Sequence, residues 1–254
     1  MGAGHAHALY VHEHSPIHGL APETKVAAVV LFVVATAVTP REAVWAFGVY
    51  ALLLAATATV GRIPWLFLFS RLLGVLPFVF FAFLVPFVGT GERVDLGWFE
   101  VSRDGLWSAW GIIAKATIGA SASIVLVATT EVPGILRGMR TLRVPSVIVG
   151  IAGFMVRYLE LIADELGRVR QAMVARGHDA RWIWQARPLA TAAGSMFVRA
   201  YERGERIHSA MVGRGYTGEM PVIGGAPPSG RTWAAALSVP AVAVVVAVVA
   251  LVTA

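Results

Sequence analysis

Long stretches without ionisable side chains constrain the fold of this chain more than any other feature. The longest covers residues 233–254, and a helix needs about 20 apolar residues to cross about 30 Å of hydrocarbon. Only 14% of the residues are charged, whereas soluble domains average about 25%. The sequence therefore predicts an all-α, polytopic membrane protein with about five transmembrane helices, over residues 20–40, 43–60, 64–88, 106–130 and 233–254.

The net charge of +6 belongs to one part of the chain. Residues 1–130 carry seven basic and seven acidic side chains, and residues 216–254 carry one of each. Residues 131–215 carry thirteen Arg against seven acidic side chains, and 13 minus 7 is the whole net charge. Because basic segments stay on the cytoplasmic side of a membrane, we expect residues 131–215 and, by counting spans, the N-terminus to be cytoplasmic. The loop that contains Asp104 is then external.

The basic block predicts amphipathic helices. Apolar side chains recur three and four residues apart between Met155 and Met173, which is the period of a helix with one apolar face. A second such helix follows Pro188, and residues 131–142 predict a shorter one. The expected organisation is a His-rich tail over 1–19, a four-helix transmembrane region over 20–130, a cytoplasmic coupling-helix region over 131–220 and a C-terminal transmembrane helix over 231–254.

Two helices of the basic block end in nearly the same sequence. Residues 168–177 and 206–215, at a constant offset of 38, are identical at six of ten positions. A left-handed Gly cap and an Arg at the negative end of the helix explain one copy, but they do not explain why Ala-Met-Val precedes both. We interpret the pair as two docking ends for a partner present in two equivalent copies. The candidate residues are Met173, Ala175, Arg176, Gly177, Met211, Gly213, Arg214 and Gly215.

Several kinds of chemistry are excluded by composition. The chain has no cysteine, so it forms no disulfide and has no thiol nucleophile. Its only lysines, Lys25 and Lys115, do not follow Gly, so there is no phosphate-binding loop for ATP. The basic residues alternate with acidic ones on membrane-attached helices, which argues against nucleic acid. We therefore expect a non-catalytic protein that binds no cofactor itself.

The chain resembles the T component of energy-coupling factor transporters, in particular the cobalt type called CbiQ. The resemblance extends from residues 15–25 through Val144-Pro145, Arg157-Tyr158 and both Arg-Gly motifs to Gly218 and Pro221. The family's short motif with a central Arg maps onto residues 175–177 and 213–215. The second copy departs from the pattern because it has Gly213 where Ala is usual.

The resemblance implies a scaffold that couples two ABC-type ATPases to a small membrane subunit that captures the substrate. ATP and Mg²⁺ would bind the partner ATPases, and the transported substrate would be Co²⁺ for cobalamin supply. Arg176 and Arg214 would sit in grooves of the two ATPases. The same scaffold serving nickel or a vitamin remains an alternative, as does an autonomous channel or ion-coupled carrier, for which Lys115 would be the key residue.

The N-terminal tail is rich in histidine. His5, His7, His12 and His14 form two His-x-His pairs, and imidazoles bind Co²⁺, Ni²⁺ or Zn²⁺. A tail without metal is the alternative. A cytoplasmic tail would suit buffering of released metal rather than capture from outside.

Two basic residues, Arg71 and Lys115, lie within expected spans, where ionisable groups are costly and often functional. Arg71 is close enough to the cytoplasmic end of its span for its side chain to reach the interface. Lys115 lies about ten residues from either end of its span, so we expect it to contact a partner or another helix.

Overall fold

The computed structural model describes residues 10, 11, 13, 15–88, 93–95, 100–177, 187–218 and 228–253. Contacts group the chain into two compact units: the membrane unit, residues 9–142 and 224–254, and the arginine-rich unit, whose described residues lie within 143–223. The helices of the membrane unit are α1 Pro22–Val38, α2 Val44–Val60, α3 Trp65–Leu72, α4 Leu76–Val88, α5 Arg103–Thr129, α6 Val132–Thr141 and α9 Gly230–Thr253. The arginine-rich unit contains α7 Ser146–Ala175 and α8 Arg187–Val212.

The predicted class of polytopic, helical membrane protein is confirmed. Within the described part of the chain, four helical stretches are long and apolar enough to cross a bilayer: Trp65–Phe87, Arg103–Thr129, Ser146–Ala175 and Gly230–Thr253. The first two expected spans form the 17-residue helices α1 and α2, which are shorter. The stretch at 146–175 is α7, which the sequence analysis placed among the cytoplasmic helices. It meets the same criterion because no charged residue precedes Arg157 within it.

The third expected span is helical but interrupted. A short 3₁₀ turn at Leu73–Val75 separates α3 from α4, and Pro77 follows it in the first turn of α4. Proline lacks a backbone N–H and is tolerated at the start of a helix, whereas in a continuous helix it would break the hydrogen-bond ladder. Near Pro77 the kink expected from the prolines corresponds to this change to 3₁₀ geometry, whereas Pro86 lies inside α4.

One small antiparallel strand pair precedes α5. Strands β1 Arg93–Asp95 and β2 Glu100–Ser102 pair with Val94 opposite Val101. Ser102 then caps α5, because its hydroxyl oxygen accepts a hydrogen bond from the backbone N–H of Gly105 at 3.3 Å. The strands are an addition to the all-helical fold expected from the sequence.

The core of the membrane unit lies among α1, α2, α5 and α9. It combines aromatic residues from α1 and α2 with alanines from α5 and α9, since small residues let membrane helices approach closely. Tyr50 of α2 is fully buried, and its hydroxyl lies 2.8 Å from Thr39 Oγ1 and 3.3 Å from the Ala243 carbonyl oxygen. This one side chain links α2 to the end of α1 and to α9.

The short helix α6 lies against the beginning of α1. A Cβ added at Gly138 would be 2.8 Å from Val26 Cγ2, and one at Gly134 would be 3.1 Å from Pro22 Cγ. Only glycine allows contacts this close. Helix α6 therefore belongs to the membrane unit by its contacts, although its sequence is part of the basic block.

Candidate functional site

The first docking end is a capped helix terminus. Helix α7 ends at Ala175, Arg176 follows as its C-cap, and Gly177 adopts the left-handed conformation with φ of 81°. The backbone N–H of Gly177 donates to the Val174 carbonyl at 2.9 Å. Since a side chain at Gly177 would be strained, glycine is what lets the chain turn directly after Arg176.

The second docking end repeats this geometry. Gly215 has φ of 85°, and its N–H donates to the Val212 carbonyl at 2.9 Å. The N–H of Tyr216 also donates to the Met211 carbonyl at 3.0 Å, which completes the double hydrogen bond of a Schellman cap. The spacing that the two copies of the repeat share therefore corresponds to the same backbone turn at both ends.

Both arginines of the repeat project from the protein surface. Arg176 and Arg214 are exposed, as are the small residues beside them, and neither makes an ion pair with any described residue. Met173 and Met211 are half-buried. The structure thus presents two guanidinium groups, each one residue before a sharp turn, with charge available to an acidic partner.

The end of α8 also borders a cavity within the arginine-rich unit. The cavity, of about 350 Å³, is lined by α7, by α8 and by Tyr216, and Met211 reaches into its wall. Phe154 and Tyr158 stack along α7 with ring centroids 6.3 Å apart. Sequence reasoning missed Tyr216, since the first copy has His178 at the equivalent position.

An ion pair ties the two docking helices together. Arg199 of α8 donates through Nε to Glu165 Oε1 of α7 at 2.8 Å, and Arg203 Nη1 lies 3.8 Å from Glu165 Oε2. Solvent-accessible ion pairs stabilise a fold only weakly, so this contact adds little free energy to the association of α7 with α8. The sequence contained no local signal for this pair, because its members are 34 residues apart.

The apolar face of α7 is largely uncovered within the described structure. Met155, Leu159, Ile162 and Leu166, which define the helical stripe in the sequence, are all more than a third exposed. Exposed apolar surfaces of this extent mark contacts with a membrane or another protein. The helix that carries the first docking end therefore has a second surface available for contact.

Both lysines of the chain donate to backbone carbonyls at helix ends. Lys115 Nζ of α5 donates to the Ala37 carbonyl of α1 at 2.7 Å, and Lys25 Nζ of α1 donates to the Thr129 carbonyl of α5 at 2.7 Å. The last carbonyls of a helix have no partner within it, so each lysine satisfies one of them. Arg71 lies in the last turn of α3, with its guanidinium 5.2 Å from the ring centroid of Phe67.

The four candidate metal-binding histidines, His5, His7, His12 and His14, lie outside the described residues. Among the described residues, no three His, Asp or Glu side chains come together as a metal site. His18 is described, and its ring lies 2.7 Å from Ser15 Oγ through Nδ1 and 3.0 Å from the Val11 carbonyl through Nε2. Because a carbonyl only accepts, Nε2 carries the proton and Nδ1 accepts from the Ser15 hydroxyl.

This local network holds the N-terminal segment on α5. The N–H of Val11 donates to the Ala128 carbonyl at 3.0 Å. Burial is the main cause that lowers the pKa of His18, and the nearby charge of Lys25 lowers it further, while hydrogen bonds to backbone groups oppose the shift. The neutral ring is therefore the form that fits this site.

Comparison with known proteins gives a consistent set of relatives. The family model described as CbiQ, cobalt transport protein, matches residues 13–223. The cobalt transport protein CbiQ of Rhodobacter capsulatus is 28% identical over 149 residues, which cover 56% of this chain and 60% of that protein. An uncharacterized protein of Methanocaldococcus jannaschii is 27% identical over 154 residues, covering 59% and 56%. These two matches span less than two thirds of the length of either relative.

A longer match comes from a second group of relatives. The energy-coupling factor transporter transmembrane protein EcfT of Bacillus subtilis is 26% identical over 223 residues, which cover 82% of this chain and 83% of that protein. Both docking ends, residues 175–177 and 213–215, lie within the region that the family model matches.

Proposed function

Because this chain belongs to the CbiQ cobalt transport protein family, we propose that it is the transmembrane component of an energy-coupling factor importer. In this role it transmits ATP-driven motion from two ABC-type ATPases to a membrane subunit that captures the substrate. The chain itself performs no catalysis, and ATP with Mg²⁺ binds the ATPases.

The observation that carries this proposal is the pair of matching helix ends. Arg176 and Arg214 are both exposed, both lie one residue before a left-handed glycine, and both follow long helices. A partner present in two equivalent copies offers two matching sockets, which is what a pair of ATPases provides. Each helix connects its arginine to a distant part of the arginine-rich unit, so displacement at the docking end is carried along a rigid element.

Charge reversal at the two docking ends tests the proposal. We expect the double variant Arg176→Glu/Arg214→Glu to bind the ATPases at least about 30-fold more weakly, because each substitution places an acidic group in a socket that accepts a guanidinium. Co-purification with tagged ATPases and uptake of radioactive cobalt both fall. Each single variant retains the other docking end and loses less.

The matched control uses the other arginine of the repeat. Arg168 and Arg206 also recur at the offset of 38 and are exposed, but they lie eight residues before the docking arginines. The variant Arg168→Glu/Arg206→Glu has the same change in net charge and is expected to retain assembly. Equal ATPase binding by both double variants would refute the docking role.

The proposed cargo is the cobalt ion, which is supported by the family description and by the name of the Rhodobacter capsulatus relative. Uptake by the complete transporter distinguishes cargoes: cobalt is expected to accumulate with ATP, and excess nickel to compete weakly. Preferential uptake of nickel or a vitamin would retain the scaffold and replace the cargo. Uptake by this chain without ATPases would instead support an autonomous carrier.

A further inference from the structure

An apolar cavity of about 390 Å³ lies within the membrane unit. Its walls come from the beginning of α1 and α9 and the end of α2 and α5, with Ala28, Ala56, Ala122 and Pro240 among the lining residues. Its volume is that of a small-molecule binding pocket. The cavity is therefore large enough for a ligand and lies at one end of the helix bundle.

Among the described polar side chains that line the cavity, Lys25 is the one with hydrogen-bond donors left over. Of its polar lining residues, Thr57 donates to the Leu54 carbonyl at 2.8 Å and Thr129 donates to the Val125 carbonyl at 2.9 Å, so both hydroxyl hydrogens are used within their own helices. Lys25 is 7% exposed, and its ammonium donates one hydrogen bond to a described residue, the Thr129 carbonyl. An ammonium has three donors, which leaves two for a ligand.

The cavity lies at the end of the bundle that is expected to face the cytoplasm. Arg62 follows α2 and Arg231 begins α9 at this same end, and basic residues mark the cytoplasmic side. Lys25 is three residues into α1, or about 4.5 Å along the helix, which is the depth of lipid headgroups rather than of the bilayer centre. Anionic phospholipids are the negatively charged molecules of that leaflet.

We infer that this cavity binds an anionic phospholipid of the cytoplasmic leaflet, with one acyl chain between α1, α2, α5 and α9 and the headgroup phosphate on Lys25. The apolar walls match an acyl chain, because contact between them removes apolar surface from water. The two remaining ammonium hydrogens match phosphate oxygens, and a buried cation is stabilised by an opposite charge. This inference is independent of the identity of the transported substrate.

Native mass spectrometry of the full chain tests lipid selectivity directly. The protein is purified into micelles that contain equal amounts of a phosphatidylglycerol and a phosphatidylcholine with the same acyl chains. We expect the first lipid adduct to be enriched in phosphatidylglycerol by about fivefold, the preference that one basic residue near the membrane surface supplies. Lys25→Met removes the enrichment, whereas Lys115→Met, the same substitution at the lysine that does not line the cavity, keeps it.

A steric pair of variants keeps the test decisive if Lys25→Met folds poorly. Ala56 is exposed and lines the cavity, while Ala51 is exposed on the same helix and does not line it. Ala56→Phe is expected to abolish the tightly held adduct, and Ala51→Phe to retain it. Equal amounts of the two lipids in the wild-type adduct, or an unchanged adduct in Ala56→Phe, would overturn the inference. Enrichment of phosphatidylglycerol that persists in Lys25→Met would also overturn it.

Discussion

The side chains of Lys25 and Lys115 each satisfy a carbonyl at the end of the other's helix. Lys25 extends from α1 to the end of α5, and Lys115 extends from α5 to the end of α1. Within a bilayer, an unsatisfied carbonyl is expensive, so a lysine placed there contributes a hydrogen bond as well as a favourable interaction with the helix dipole. The sequence shows that a lysine within an apolar run is unusual. Only the structure shows which carbonyl oxygen accepts its hydrogen bond.

His18 leads to a pH prediction at the same scale. Its folded pKa is below the ordinary value of 6.5, so between the two values the unfolded segment binds more protons than the folded one. The contribution of His18 to local stability is therefore complete above pH 6.5 and is lost as the pH falls below it. Hydrogen exchange of peptides covering residues 10–20, corrected for intrinsic rates, should show lower protection at pH 5.5 than at pH 7.5.

The variant His18→Ala is the control for this prediction. It removes both hydrogen bonds of the ring, to Ser15 and to the Val11 carbonyl, so its protection is expected to be low at both pH values. If the variant and the wild type show the same dependence on pH, another group is responsible.

At the scale of elements, close packing between helices depends on where glycine occurs. Gly105 of α5 lies against the backbone of α4, and an added Cβ would be 2.7 Å from Pro86 Cα. Neither backbone can move away cheaply, since both belong to helices. Gly119 is on the same helix, but nothing lies within 4 Å of an added Cβ there.

These two glycines are expected to respond to the same substitution in opposite directions. Gly105→Ala should destabilise the protein by about 1–3 kcal/mol through overpacking. Gly119→Ala should stabilise it by about 0.5–1 kcal/mol, because alanine loses less backbone entropy in a helix. Apparent melting temperatures in one detergent measure both. No change for Gly105→Ala would contradict the described contact between α4 and α5, and a lower melting temperature for Gly119→Ala would contradict the open space beside Gly119.

At the scale of the whole molecule, charge and membrane topology are linked. The basic block contains all of the net charge, and from the positive-inside rule we expect it to face the cytoplasm. The described structure adds that the same block supplies α7 and α8, which form a compact unit of their own. The arginine-rich unit therefore corresponds to most of the basic block. The exception is α6, which belongs to the block by charge but to the membrane unit by its contacts.

Absence of native cysteine makes this topology simple to measure. We expect Asp104→Cys, at the start of α5, to react with a membrane-impermeant maleimide in intact cells, and Ser195→Cys, on α8, to react only after permeabilisation. Both positions are exposed, so accessibility to the reagent depends on the side of the membrane. The cysteine-free parent gives the background. Labelling of Ser195→Cys in intact cells would contradict the predicted orientation and indicate the opposite one.

The sequence alone determined the membrane class, the helical period of the basic block and the repeat of its two helix ends. These properties depend on local patterns: long uncharged runs, apolar residues three and four apart, and a glycine directly after Arg176 and Arg214. Only the tertiary structure decided the partners of Lys25 and Lys115, the pairing of Glu165 with Arg199, the assignment of α6 to the membrane unit and the apolar cavity that Lys25 lines. Each of these requires residues far apart in the chain to meet, and that depends on how helices pack, which no local pattern records.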